Sequence, residues 1–556
     1  MKLQFGMKTI RGRLLPSALL CLCVALAGSV AAPVALPQTT IEINEASAEI
    51  GELLRLGREL ERERRWGEAL SHYEDSLRKH PADASLRRRL DYSRLHYDVV
   101  RRYVDRSYGE LLDRTSLEEA LNLYGEVLTK IQTHYVKSPN WKTLIVYGTN
   151  DLEVALNEPA FRQRNLPAAD DLRIDQFRYE LRRRMAEEVV LSRSAAMEEV
   201  RRIALLAQQR LGAEPAAVAM EYTCGAAGAL DVYSTYLTPD QLNDVYAQIE
   251  GNFVGLGIEI KASAGTLLIV RVIPGSPAER AGLRGGDRIV SIDQQPVKDL
   301  PTDKAASLLQ GAAGSIARLA VLSGDQTRSV SVRRDRVEVP SIDDAQIIDP
   351  AYGIGYLKLT CFQKTTARDI DAALWNLHRQ GMRSLVMDLR GNPGGLLVTA
   401  VEVVDKFVDN GTIVTTRGRS PREDLVYTAH ATGTWSVPLV VLIDGNSASA
   451  AEIFAGAIRD HRRGTVVGER SYGKGSVQGI FPLESSSAGV RLTTARFYSP
   501  AGKPYSEIGV SPDISVHQVA RPAPGQVAIA APAADAFLEA ALQVARQTVA
   551  QRQTPR

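Results

Sequence analysis

The sequence predicts a multidomain α/β protein, and three observations carry that reading. A charge-rich, helix-periodic stretch runs from about Glu49 to residue 250. Short strands punctuated by Gly and Pro follow Gly251, and strands alternate regularly with helices from Tyr352 onward. At 556 residues the chain exceeds one ordinary domain of about 100–200 residues. Its 44% hydrophobic and 24% charged residues exclude a collagen-like or mostly disordered chain. Lys+Arg 67 against Asp+Glu 65 leaves a net charge of +2, so no strong field argues for nucleic acid as a partner. Four cysteines are too few for a disulfide scaffold.

Residues 1–35 read as a signal peptide. Lys2, Lys8, Arg11 and Arg13 precede the apolar run Leu14–Ala27, and small residues follow at Ser29, Ala31 and Ala32. That order is a secretory signal with a cleavage site, which predicts export to the bacterial periplasm or cell envelope. The run is short against the about 20 residues of a membrane span, so membrane contact is expected only through an uncleaved signal. Beyond the signal only Cys224 and Cys361 remain. They read as two buried thiols, although a disulfide is allowed outside the cytoplasm.

Residues 36–49 read as a linker. In residues 50–105, Leu53, Leu56, Gly57, Trp66, Ala69, Tyr73, Ser76, Leu77 and Pro81 resemble one tetratricopeptide repeat. No second copy follows 34 residues on, and a lone repeat cannot bury its own face. An ordinary helical hairpin and a repeat that binds an adaptor protein both remain open. Residues 106–250 continue as amphipathic helices, with Leu117, Ala120, Leu121, Tyr124 and Leu128 on one stripe. Arg87–Arg89 and Arg182–Arg184 read as solvated faces, because acids are interleaved with them.

Residues 251–340 form the β module. Strand Leu267–Ile273 leads through the turn Pro274-Gly275-Ser276-Pro277 to a helix start at Ala278–Ala281 and a strand Arg288–Ile292. A second helix near Thr302–Gln310 and a hairpin, Ile316–Leu322 with Thr327–Val332, complete it. Gly255-Leu256-Gly257-Ile258 and the run Pro274–Leu283 together resemble a PDZ domain. The resemblance implies that the loop at Gly255, Leu256, Gly257 and Ile258 receives the free carboxylate of a protein C-terminus, with β-augmentation holding the preceding residues.

In residues 341–520, strands at Ile354–Leu359, Leu385–Leu389, Leu439–Ile443 and Thr465–Val467 alternate with helices, which predicts a largely parallel sheet. Sites in such sheets form at the carboxyl ends of strands, where Gly391–Gly395 and Asp444–Ser449 both fall. Residues 521–556 read as a Pro/Ala linker and a helix, Phe537–Val549, whose partner is either the core or a second subunit of a homo-oligomer.

Asp444-Gly445-Asn446-Ser447-Ala448-Ser449-Ala450-Ala451-Glu452 sets hydroxyls at a helix start. Backbone N–H groups and the helix dipole favour a developing oxyanion there, so a serine can act as nucleophile. On this segment alone, a serine that merely caps the helix explains the pattern better. His378, His430, His461 and His517 lack a triad context, which leaves a lysine as base. Gly473-Lys474-Gly475 offers one between glycines, and burial must lower its pKa from about 10.4. Gly468–Lys474 also satisfies seven positions of a P-loop, but Gly475 stands where Ser or Thr must hold magnesium. No His/Cys/carboxylate cluster has ligand spacing, so no metal or cofactor is expected.

Taken in order, these segments resemble the tail-specific, or C-terminal processing, serine proteases from about Leu230 to Ile514. The matching runs include Leu230-Asp231, Ser234–Pro239, Gly353–Thr360, Asp388–Gly395, Ser447–Glu452, Gly473–Gln478, Leu492–Tyr498 and Pro512-Asp513-Ile514. The resemblance implies a ClpP/crotonase-like α/β core. It puts the nucleophile at Ser449, the lysine base at Lys474, the residue orienting that lysine at Gln478, and the oxyanion donors at the N–H groups of Gly395 and Ala450. Val232 and Tyr233 stand where the family usually has Pro-His, a departure expected to lie clear of the dyad. Ala451 replaces a common Ser. Val146–Leu156 and Met220–Tyr236 both resemble the family's helical lead-in, which implies an insertion between them. The function expected is an exported serine endopeptidase that takes protein substrates by their free C-termini. Its rival is an envelope scaffold that binds partners around an inert protease core.

Overall fold

The computed structural model describes residues 39–166, 169–263, 265–299, 308–324, 326–516 and 535–553. They fall into two compact units that divide between Arg94 and Leu95. The signal segment, most of the helix expected near Thr302–Gln310 and the linker after Arg521 lie outside the described residues.

The first unit holds α1 (Thr39–Arg62), α2 (Trp66–Lys79) and residues 84–94 of α3 (Ala84–Val104). The segment expected as a linker is helical from Thr39, a correction with a simple cause. Thr39–Ile50 contains neither Gly nor Pro and is rich in Glu and Ala, so nothing stops the helix. Ala69, Tyr73 and Leu86 are buried and packed by Leu53, Leu60, Leu77 and Leu90. The Tyr73 hydroxyl donates to Glu61 at 3.0 Å, and Arg89 Nε donates to the same carboxylate at 2.9 Å. The repeat-like positions thus close a helical hairpin with a third helix laid over it.

The second unit begins with residues 95–104 of α3 and continues with helices α4 (Arg106–Arg114), α5 (Leu117–His134), α6 (Trp141–Ala155), α7 (Pro159–Asn165), α8 (Asp171–Glu187), α9 (Arg193–Leu211) and α10 (Pro215–Gly228). The predicted stripe of α5 is buried at Ala120, Leu121, Tyr124 and Leu128. Helix α10 is buried on every side from Pro215 to Ala227, which explains its Ala/Gly composition. Gly148 of α6 and Gly225 of α10 touch so closely that a Cβ at Gly225 would lie 2.7 Å from the Gly148 nitrogen.

Strand β1 (Thr235–Leu237) and helix α11 (Pro239–Glu250) lead to the β module. Its strands are β2 (Asn252–Gly255), β3 (Ile258–Ser263), β4 (Thr266–Val272), β5 (Arg288–Ile292), β6 (Gln295–Pro296), β7 (Ile316–Ser323), β8 (Gln326–Arg333) and β9 (Asp335–Glu338). A short helix, α12 (Pro277–Arg280), sits after β4. The antiparallel order is β3-β4-β5-β7-β8 with β6 on β5, around a core of Leu256, Ile269, Ile289 and Leu319. β2 and β9 pair separately and join the module to the rest.

The remaining elements are β10 (Ile342–Asp349), β11 (Ile354–Leu359), α13 (Thr366–Arg379), β12 (Ser384–Asp388), α14 (Leu397–Asp405), β13 (Thr412–Gly418), β14 (Leu425–Thr428), β15 (Leu439–Ile443), α15 (Ala450–Asp460), β16 (Thr465–Gly468), β17 (Ser476–Pro482), β18 (Gly489–Tyr498), β19 (Ile514–Ser515) and α16 (Ala536–Gln553). One sheet has the order β10-β11-β12-β15-β16-β19, parallel except at β10. Helices α13, α14 and α15 pack on one face. α16 covers the other through Phe537, Ala541, Leu542 and Ala545, so the terminal helix packs on the core. A second, antiparallel sheet runs β1-β18-β13-β14, with β17 also on β18. Cys224 is buried, as expected; Cys361, in the loop after β11, is only half-buried, and both are free thiols.

Candidate active site

Strands β12 and β15 are parallel neighbours, and the loops that leave their carboxyl ends meet. Gly391 N–H donates to Asp444 Oδ1 at 3.0 Å, and the Ser447 hydroxyl donates to the Leu389 carbonyl at 2.8 Å. Ala448 N–H donates to the Asn392 carbonyl at 2.9 Å, while Asn392 Nδ2 donates to the Leu359 carbonyl at 2.8 Å. Ser447 is therefore a fastener between the two loops. Gly394 and Gly395 have φ of +101° and +145°, backbone that L side chains rarely adopt. A Cβ on Gly394 would lie 2.7 Å from Ser449 Cβ and 2.8 Å from the Ala450 nitrogen. That close approach brings the Gly395 and Ala450 amides to one place, at the start of α15. Among the described residues neither amide donates to any group.

Ser449 itself holds φ +55°, ψ −114°. Such a conformation costs a non-glycine residue about 1–3 kcal/mol and persists only where its surroundings over-determine it. Here the constraint is Glu452, fully buried one turn into α15. Its Oε2 accepts from the N–H groups of Ser449 and Lys474, each at 2.8 Å. Its Oε1 accepts from the Ser471 hydroxyl at 2.6 Å and the Gly473 N–H at 2.7 Å. Glu452 is not among the site residues the sequence predicts. Its place is legible locally, because an acid three residues into a helix is where a capping box puts one. Its second set of partners, twenty residues onward, is tertiary.

Lys474 lies between β16 and β17, partly buried. Burial is the main cause of a pKa below the ordinary lysine value; the Arg491 guanidinium pushes it the same way, and Glu452 opposes them. Among the described residues its amine makes no hydrogen bond and no ion pair. It sits 4.9 Å from the centroid of the Tyr233 ring. This corrects the expectation that the departure at Val232 and Tyr233 lies clear of the dyad. The Val232 side chain is exposed, but that of Tyr233 reaches the lysine, because β1 pairs with β18 and draws the preceding loop onto the second sheet. Gln478, on β17, donates its amide to the Ser476 hydroxyl at 2.9 Å. The backbones of Ser449 and Lys474 meet on Glu452, and Gly394 abuts Ser449 and Ala450; among the described residues no hydrogen bond joins the Ser449 hydroxyl to the Lys474 amine, and Gln478 makes none to Lys474.

Beneath the glycine loop, Arg390 grips Asp388 with Nε at 2.9 Å and an outer nitrogen at 2.6 Å. Arg390 also donates to Asp535, just ahead of α16, at 2.9 Å, and the Tyr356 hydroxyl donates to Asp388 at 2.8 Å.

In the β module, Gly255 ends β2 and Ile258 opens β3. The Leu256 carbonyl accepts from Ala278 N–H at 2.8 Å, and the Gly257 carbonyl accepts from Ile273 N–H at 2.9 Å. Gly257, at φ +82°, rests against Ser276 so tightly that any Cβ would collide with it. The carbonyls are thus used internally, whereas the Leu256 and Gly257 amides donate to no group among the described residues.

A parallel sheet with a strained serine at a helix start and an antiparallel module with a glycine loop lie in one compact unit, an arrangement that suits a serine-type peptidase. Comparison with known proteins agrees: residues 353–516 match peptidase family S41, and residues 268–323 match the PDZ domain. A carboxy-terminal-processing protease of Bartonella bacilliformis is 38% identical over 52% of this chain and 67% of its own length. A carboxyl-terminal-processing protease of Picosynechococcus is 34% identical over 52% of this chain and 70% of its own. Carboxyl-terminal-processing peptidase 2 of Arabidopsis thaliana, a chloroplastic protein, is 35% identical over 51% of this chain and 57% of its own. The chain belongs to the carboxy-terminal-processing proteases of peptidase family S41.

Proposed function

We propose that this chain is an exported endopeptidase that selects proteins by a free, apolar C-terminus and cleaves them with a Ser449–Lys474 dyad. The observation that carries it is a strained serine beside two undonated amides at one helix start, with the loop of a partly buried lysine tied to the serine's backbone through Glu452. In this reading the substrate carboxylate sits on the Leu256 and Gly257 amides, and its last residues extend along β3. The preceding chain passes to the protease core. Neutral Lys474 takes the Ser449 proton as the oxygen attacks the scissile carbonyl. The Gly395 and Ala450 amides hold the oxyanion, Lys474 returns the proton to the leaving amine, and water releases the acyl group. Gln478 serves the lysine after a rotation that frees it from Ser476. Export rests on the charged, apolar and small-residue order of residues 1–32; among the described residues no helix is long and apolar enough to cross a membrane.

The test is digestion of an unfolded reporter with a free apolar C-terminus by the wild type, Ser449→Ala and Lys474→Ala. Cleavage lost in both variants, and weakened by a charged reporter C-terminus, supports the proposal. Loss in Ser449→Ala alone moves the base elsewhere, and an inert wild type returns the scaffold reading.

A further inference from the structure

Among the described residues, the ring that faces the lysine amine comes from another part of the chain. We propose that Tyr233 is a positioning residue for the base: its ring roofs the Lys474 amine, keeps water from it and fixes where it points. The inference rests on Lys474 being the base.

A lysine amine on four rotatable carbons needs something to hold it. Among the described residues Lys474 Nζ has no hydrogen bond and no ion pair, and the Tyr233 ring at 4.9 Å is the contact that orients it. The ring is held in turn. Asp231 Oδ1 accepts from the Tyr233 and Ser234 N–H groups at 2.9 Å each, and Arg491 Nε donates to the Tyr233 carbonyl at 2.9 Å. Tyr233 also shares a side-chain hydrogen bond with Tyr472, two residues before the lysine. The ring is thus clamped from the helical lead-in, from β18 and from the lysine's own loop.

The ring acts on the amine in two opposed ways. Its π face attracts the ammonium. Its bulk excludes water, which favours the neutral amine. Burial is the largest of the causes that lower the lysine's pKa, so the roof favours the form that accepts a proton. The other groups facing the amine are Glu452 from α15, which favours the charged form, and Arg491 from β18, which opposes it. Neither changes when the ring is removed.

The test compares pH profiles of kcat/KM for the wild type, Tyr233→Phe, Tyr233→Ala, Tyr233→Gln and Lys474→Ala on the same reporter, with thermal melts alongside. Tyr233→Ala is expected to move the acid limb up by about one pH unit, cutting the rate near pH 7 about tenfold while the alkaline plateau is retained. Tyr233→Gln, which is smaller than the ring and sets a polar amide beside the amine, gives the same shift if the alanine chain folds poorly. Tyr233→Phe keeps the ring and leaves the limb in place. An unmoved limb in the Ala and Gln variants, or an equal shift in Tyr233→Phe, overturns the inference while a dead Lys474→Ala leaves the dyad standing. A Lys474→Ala chain that still cleaves overturns the dyad itself.

Discussion

The backbone N–H groups of Ser449 and Lys474 meet on a single oxygen, Oε2 of Glu452, each at 2.8 Å. One buried carboxylate therefore holds the serine's strained backbone and the lysine's loop in register. Glu452→Gln replaces one acceptor oxygen with an amide donor that faces two N–H groups. The expected result is a kcat lowered about 10–100-fold with KM nearly unchanged, and stability lowered by about 1–3 kcal/mol. Steady-state kinetics and urea unfolding on the same variant check both.

The lysine sets the direction of the pH dependence. Its folded pKa lies below the ordinary value, so the neutral, proton-accepting form grows as pH rises and the rate should rise with it. A flat profile between about pH 6 and 9 removes Lys474 from the role of base.

Stability carries the opposite side of the same shift. Between the lowered folded pKa and about 10.4, the unfolded chain binds the lysine proton more readily than the folded one. The lysine's contribution to stability therefore rises with pH across that window and levels above it. Lys474→Met should be inactive yet melt higher than wild type at pH 7, with the advantage vanishing near pH 11. Calorimetry at the two pH values reads it.

Gly394 is where the loops press together. Gly394→Ala sets a methyl against Ser449 Cβ and the Ala450 nitrogen at a φ of +101°. Displacing the oxyanion donors is expected to lower kcat about 10²–10³-fold. Binding of a C-terminal peptide to the PDZ domain, read by fluorescence anisotropy, should be unchanged, because that domain has its own core.

The peptide loop predicts a separate effect. Amidating the reporter's C-terminus removes the charge that the Leu256 and Gly257 amides would receive. KM should rise about tenfold or more while kcat holds. Equal turnover of free and amidated reporters at low concentration counts against carboxylate capture.

Much of this architecture is legible in the residue order. Strand–helix alternation after Tyr352 gives the parallel sheet, and glycines at 391–395 and serines at 447–449 mark its carboxyl edge. Local pattern ends where partners are distant in the chain. Tyr233 meets Lys474 across 241 positions only because β1 pairs with β18, and no periodicity announces that pairing. The antiparallel second sheet has the same cause. Glu452 reads locally as a capping acid, and its grip on Gly473 and Lys474 is tertiary. Thr39–Ile50 misleads in the other direction, since its mixed polarity resembles a linker while it holds no Gly or Pro to stop a helix.

Helix α16 covers one face of the sheet that bears the serine loop, burying Val386, Val440 and Leu442. Asp535, just ahead of the helix, accepts from Arg390 beneath the glycine loop. The helix follows every strand of that sheet in the chain, so the face closes only when a segment from beyond the last strand folds back across it. Cutting the chain between β19 and α16 would leave all the strands in place and strip one side of them bare.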